Sequence, residues 1–137
     1  GRAVCVLATG DPNCHGVGTR LVEKIGLDEL RMIPAPSAYS LACARLGWNL
    51  AEVETVTLHG RPLELLHAFV VPGARLLVLS ADGTTPARIA ALLSRRGYGA
   101  SAITVLEHMG GPDERVRRHT ADAWPDERVA SLNTVAI

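Results

Sequence analysis

An α/β fold is predicted, on three observations. Strand-type and helix-type segments alternate along the chain, and most junctions between them carry Gly or Pro. The run Ala74 to Ser80 (ARLLVLS) holds four uninterrupted apolar residues, Leu76 to Leu79, the pattern of a central strand buried on both faces. Hydrophobic residues make up 47% of the 137 and aromatic ones only 4%. Ala, Leu and Val must therefore fill the interior, which argues against disorder. The length suffices for one domain with a core, or for two small lobes sharing one.

In chain order, Val4 to Ala8 reads as an opening strand, with Val4, Val6 and Leu7 around small Cys5 and Ala8. Gly10-Asp11-Pro12 turns the chain, and Val17 to Ile25 reads as a helix with Val17, Leu21 and Ile25 on one face. Met32-Ile33 makes a short strand, and Pro34 to Ser37 a rigid turn. Ser37 is placed to N-cap a helix through Leu46 that Gly47 ends. A strand over Glu54 to Leu58 finishes on His59-Gly60-Arg61-Pro62, and Leu63 to Val70 forms a short helix. After the central strand, Asp82 to Pro86 leads into a helix through Arg95, with Pro86 in its first turn. Ala102 to Leu106, Glu114 to Ala121 and Leu132 to Ile137 are the remaining strands, and Glu107 to Asp113 is a Gly-Gly-Pro loop.

Composition excludes several classes. Lys+Arg and Asp+Glu balance at 14 each, which argues against a general nucleic-acid surface. Lys24 is the single lysine; Arg favours bidentate grip on carboxylates, but high-GC coding bias produces the same excess. Cys5, Cys14 and Cys43 are widely spaced and odd in number, which fits a reducing cytoplasm. No apolar run is long enough for a membrane helix, and no signal peptide opens the chain. The chain starts at once on strand-like residues, so a fragment lacking an N-terminal lobe is expected.

Four small-residue loops at strand ends carry the candidate chemistry: Gly10 to Gly18, Pro34 to Ser37, Ser80 to Thr85 and Glu107 to Pro112. No Lys follows the glycines, so none is a P-loop, and the dinucleotide GxGxxG is absent. Such loops suit a flat ligand held through backbone groups, an adenosine-type cofactor being one. Asp11 either holds its own turn or faces a cation. His59 and Arg61 either present an anion site or form a solvated loop. Ser37 has no nucleophile-elbow context, and Cys14 beside His15 sits in a turn where neighbours point apart. The five histidines lack metal spacing, so no metal is expected. Arg115 and Arg117 share one face of their strand, either meeting substrate carboxylates or guarding an edge.

The segments LATGDP with GVG, IPAPSAYSLACARLGW, TLHGRP and LEHMGGPDERV resemble the precorrin-6Y methylases of cobalamin biosynthesis, members of the tetrapyrrole (class III) methylases. The resemblance implies the end of a first lobe carrying the GDP loop (residues 1–33) and the C-terminal α/β lobe (residues 34–137). It implies C-methylation of a precorrin by S-adenosylmethionine, in the cytoplasm, by a homodimer. Carried over by position, Gly10, Asp11, Pro12, Ser37, Ala38, Ser80, Ala81, Gly110, Gly111 and Pro112 are the expected cofactor contacts. His59 and Arg61, with Arg115, are the expected substrate contacts. Some relatives carry a C-terminal decarboxylating methyltransferase domain, a further expected domain or partner that leaves no GxGxG motif here. Asn13-Cys14-His15 departs from the bulky hydrophobic and aromatic residues usual at that place. The alternatives are a non-catalytic lobe without cofactor binding, and a methylase of the same superfamily acting on a diphthamide or ribosomal target.

Overall fold

The computed structural model describes residues 3–125 and 127–137. The chain divides into two compact units, Gly1–Ser37 and Ala38–Ile137. The larger unit is built on one five-stranded sheet: β1 (Glu54–Thr57), β2 (Leu76–Leu79), β3 (Ala102–Glu107), β4 (Arg115–Thr120) and β5 (Asn133–Ala136). Their order is β1-β2-β5-β3-β4. β1 and β2 are parallel, Glu54 opposite Leu76, and the other three pairings are antiparallel. Because β5 runs against both β2 and β3, strands β1, β2 and β3 all point the same way.

Alternation along these strands feeds two buried faces, as the period of two requires. Leu76, Val78, Ile103, Val105 and Val135 join one cluster with Ile89, Ala90, Leu92 and Leu93 of helix α3 (Thr85–Arg95) and with Leu63, Leu66 and Val70. Leu77, Leu106 and Ala136 fall on the opposite face and are equally buried. Helix α2 (Ala38–Leu46) packs on β2 and β5, burying Tyr39, Ala42 and Cys43, and the Tyr39 hydroxyl donates to the Val56 carbonyl at 3.0 Å. It stops at Gly47, whose φ of 67° only glycine adopts without strain. The expected helix over 63–70 is a 3₁₀ turn, Leu63–Ala68, and a second such turn, Leu50–Glu52, is capped by the Asn49 side chain.

The smaller unit corrects the sequence reading most. The expected strands at Val4 to Ala8 and Met32-Ile33 are irregular backbone. A strand exists only in a ladder, and neither segment belongs to one. Val4 and Leu7 are consequently 83% and 91% exposed. Helix α1 (Gly18–Ile25) forms where periodicity predicts it, yet its one buried residue is Gly18; Val17 and Ile25 lie open.

Candidate functional site

The common direction of β1, β2 and β3 brings two of the four predicted loops, and the predicted His59–Arg61 segment, to one end of the sheet. His59-Gly60-Arg61 follows β1, Ser80 to Thr84 follows β2, and His108 to Asp113 follows β3. Ligands of α/β sheets bind at such carboxyl ends. Two buried polar side chains brace this end, and sequence reasoning missed both. Asn133 opens β5: its Oδ1 accepts from the Ser80 hydroxyl at 2.6 Å, and its Nδ2 donates to the Ala130 carbonyl at 2.8 Å and the Asp82 carbonyl at 3.4 Å. Glu107 stands opposite Asn133 in the β3–β5 ladder and accepts from the Ala130 N–H and from Arg117 Nε, each at 2.8 Å. Burial alone would raise the Glu107 carboxyl, but those bonds outweigh it and hold the group below the usual carboxylate range. The available signal was a polar residue at the loop end of a strand, Glu107 closing AITVLE and Asn133 opening NTVA.

Most of the loop amides are already bonded, within the loops or to residues beside them. Thr85 Oγ1 accepts from the N–H groups of Ala81 and Asp82, each at 3.2 Å, and Asp82 Oδ1 accepts from the N–H and hydroxyl of Thr84, each at 2.7 Å. The Thr84 bonds lower the Asp82 carboxyl, with Arg128 and Arg88 adding their charge. Gly83 is pinned beneath Val129: their backbones bond at 3.0 Å, and a β-carbon on Gly83 would stand 2.0 Å from the Val129 oxygen. In the Gly-Gly-Pro loop, the Gly110 N–H donates to Glu114 Oε2 at 2.7 Å and the Gly111 N–H to the His108 carbonyl at 3.0 Å. Pro112 has no N–H. Neither loop therefore turns a nest of donors outward, as a phosphate site does. Ala81, Gly110, Gly111 and Pro112 are exposed and offer small carbon surface and carbonyl groups.

Glu114 also receives Arg45 of α2 in bidentate fashion, Nε to Oε1 at 2.5 Å and Nη2 to Oε2 at 2.8 Å. Arg45 first, then the Gly110 N–H, hold the Glu114 carboxyl down to about 2. Of the predicted substrate residues, His59 and Arg61 are exposed beside edge strand β1, whereas Arg115 is exposed on the opposite edge strand, β4. Four strand spacings of about 4.8 Å separate the edges, roughly 19 Å. The structure does not bring these three together. Arg117 is engaged by Glu107 and Glu127. The Cys43 thiol is buried and pushed up by that burial, unsuited to nucleophilic work. Among the described residues no group of three His, Cys, Asp or Glu could hold a metal ion, and no helix is long and apolar enough to cross a membrane.

In the smaller unit, the GDP and PAPS loops meet. A β-carbon at Gly10 (φ 71°) would touch the Pro36 oxygen at 3.6 Å and the Ser37 Cα at 3.8 Å. Asp11 Oδ1 accepts from the Asn13 N–H at 2.8 Å and so holds its own turn. The Pro12 carbonyl accepts from Gly18 N–H at 2.8 Å. β-Carbons at Gly16 or Gly18 would approach that oxygen to 2.6 Å, so the GVG glycines serve the closure of the turn. Cys14 is half-buried and His15 exposed, with a φ of 57°. Ser37 immediately precedes α2, and Ala38 is its first residue.

Comparison with known proteins adds the rest. The family model of tetrapyrrole (corrin/porphyrin) methylases matches residues 1–124. The chain is 47% identical, over its full length, to a precorrin-6Y C(5,15)-methyltransferase (decarboxylating) of Sinorhizobium, of which it covers 33%. It is 31% identical over 116 residues to the cobalt-precorrin-7 C(5)-methyltransferase of Salmonella typhimurium, covering 84% of this chain and 56% of that one. Among solved structures, the precorrin-6Y methylase of Archaeoglobus fulgidus superposes with a TM-score of 0.62 at 29% identity, over 93% of this chain and 58% of the other. The chain thus spans about a third of the length of the first of these relatives.

Proposed function

The chain belongs to the tetrapyrrole (corrin/porphyrin) methylases, and from that premise we propose that it is the part of a precorrin C-methyltransferase of cobalamin biosynthesis that methylates the C-5 type position. The observation that carries this reading is the pair of loops, Ser80–Thr84 and His108–Asp113, at the carboxyl ends of β2 and β3, where most amides are already bonded and Ala81 and Gly110 to Asp113 are exposed. Loops that show carbonyl and carbon surface but few donors match a ligand rich in donors and carrying positive charge, and they repel phosphate. S-adenosylmethionine is such a ligand, and it supplies an electrophilic methyl group on a sulfonium. In the larger unit its contacts are assigned to Ala38, the Ser80 backbone, Ala81, Gly110, Gly111 and Pro112. In the smaller unit they are assigned to Gly10, Asp11, Pro12 and Ser37.

The nucleophile is an electron-rich ring carbon of the precorrin, so the chain needs no activated Ser, Cys or metal. Its residues have three tasks: to orient, to exclude water and to bind carboxylates. Small residues at 81 and 110–112 let a macrocycle approach closely. Arg61 and His59 at one edge receive substrate carboxylates through charge-assisted bonds, and Arg115 does so at the other. A cytoplasmic homodimer, with a decarboxylating methyltransferase as further domain or partner, completes the reading. Titration of the full-length protein with S-adenosylhomocysteine by calorimetry tests it. Saturable heat and a rise in Tm are expected. No heat and no thermal shift up to millimolar ligand would overturn the enzyme reading in favour of a non-catalytic lobe.

A further inference from the structure

We propose that Glu114, clamped by Arg45, is a positioning residue that sets the Gly-Gly-Pro loop for cofactor binding; the inference rests on the cofactor reading above. Two neighbouring glycines give a loop the greatest backbone freedom a chain can have, and Gly110 holds a φ of 81°. Such a loop presents no fixed surface unless something outside it fixes the backbone. One carboxylate does so here. Glu114 Oε2 takes the Gly110 N–H and Arg45 Nη2 together, while Oε1 takes Arg45 Nε. Arg45 stands in the last turn of α2, so the loop is tied to a helix packed on the central strands β2 and β5. A β-carbon at Gly110 would touch Leu41, one turn earlier on the same helix, at 3.7 Å.

The pair is also partly solvated, the side chains of Arg45 and Glu114 being 39% and 23% exposed. Exposed ion pairs contribute little to global stability, even when their geometry is good. The effect of this one is local. It turns the Gly110 N–H away from the ligand side, leaving the loop to offer acceptors. Without Glu114 the amide is released, the loop regains its glycine freedom, and a ligand must order it on binding.

The test compares wild type with Glu114→Ala, Glu114→Gln, Arg45→Ala and Arg45→Lys in the full-length protein. S-adenosylhomocysteine affinity is read by calorimetry, Tm by thermal unfolding, and Gly110 and Gly111 amide exchange by NMR. Glu114→Ala, which removes the Gly110 bond and both Arg45 bonds, and Arg45→Ala, which removes the two that clamp Glu114, should weaken binding about tenfold with Tm nearly unchanged. Glu114→Gln, which keeps an acceptor for Gly110, should fall between wild type and Glu114→Ala. Gly110 exchange should quicken in Glu114→Ala while core amides hold their protection. Unchanged affinity, or a Tm loss that accounts for the weakened binding, overturns the proposal. If wild type binds no S-adenosylhomocysteine, the cofactor reading fails. The exchange at Gly110 then still decides whether Glu114 orders the loop, and unchanged exchange overturns it.

Discussion

Glu107 is the residue on which most of the sheet end depends, and its protonation is the lever by which acid acts on it. It is 3% exposed, yet charged, because the Ala130 N–H and Arg117 compensate for the water it has lost. Its folded carboxyl lies below the ordinary value. A lowered carboxylate contributes stability that is present above the unfolded value near 4.5 and is lost as pH falls through the folded one. Tm should therefore decline as pH falls below about 4.5. Glu107→Gln should be less stable at neutral pH by about 1–3 kcal/mol, since Arg117 loses the buried one of its two charged partners. Its acid decline should be shallower than that of wild type. An unchanged slope in thermal scans across that window would place the acid-sensitive group elsewhere. At this scale the sequence was only partly legible. Ser80 was marked correctly as a loop residue at the sheet end, but its hydroxyl serves Asn133. That partner lies 53 positions away, beyond the reach of any local pattern.

Elements were legible where burial is two-sided. Leu76 to Leu79 is an unbroken apolar run because both of its faces are covered, and it appeared in the structure as β2 with its neighbours trimmed away. The identical logic misled at Val4 to Ala8, since an apolar run announces what it needs to cover it without supplying the partner. The β2–α3 connection shows a different constraint. Gly83 has no positive φ, so sequence gives no conformational reason for glycine there. The reason is the Val129 carbonyl, 2.0 Å from where a β-carbon would stand. Gly83→Ala should force the loop or the 127–130 segment to move and cost about 1–3 kcal/mol by denaturant unfolding. A neutral effect would mean that Val129 can retreat without loss.

Across the whole molecule, the predicted site residues separate into groups by strand order. Loops after β1, β2 and β3 were foreseen to carry ligand chemistry, and parallel alignment of those three strands places them together. Strand order itself was not foreseen, because nothing local says that β5 enters between β2 and β3. The order leaves Arg115 on one edge strand and Arg61 in the loop after the other. One substrate carboxylate cannot engage both. Arg61→Ala is expected to raise KM for the precorrin while S-adenosylhomocysteine affinity stays at the wild-type value. Equal loss of both in steady-state kinetics and calorimetry would show that Arg61 supports the loop instead.

The place of β5 also governs how the larger unit comes into being. During synthesis β1 with β2, and β3 with β4, emerge first as two ribbons. Neither can join the other until residues 133–136 have left the ribosome and slid between them. For that interval the backbone N–H and C=O groups along the inner edges of β2 and β3 stand unpaired, the condition under which nascent chains stick to one another. A four-residue strand is thus the keystone of the sheet, and the moment of its arrival divides a vulnerable polypeptide from a folded one.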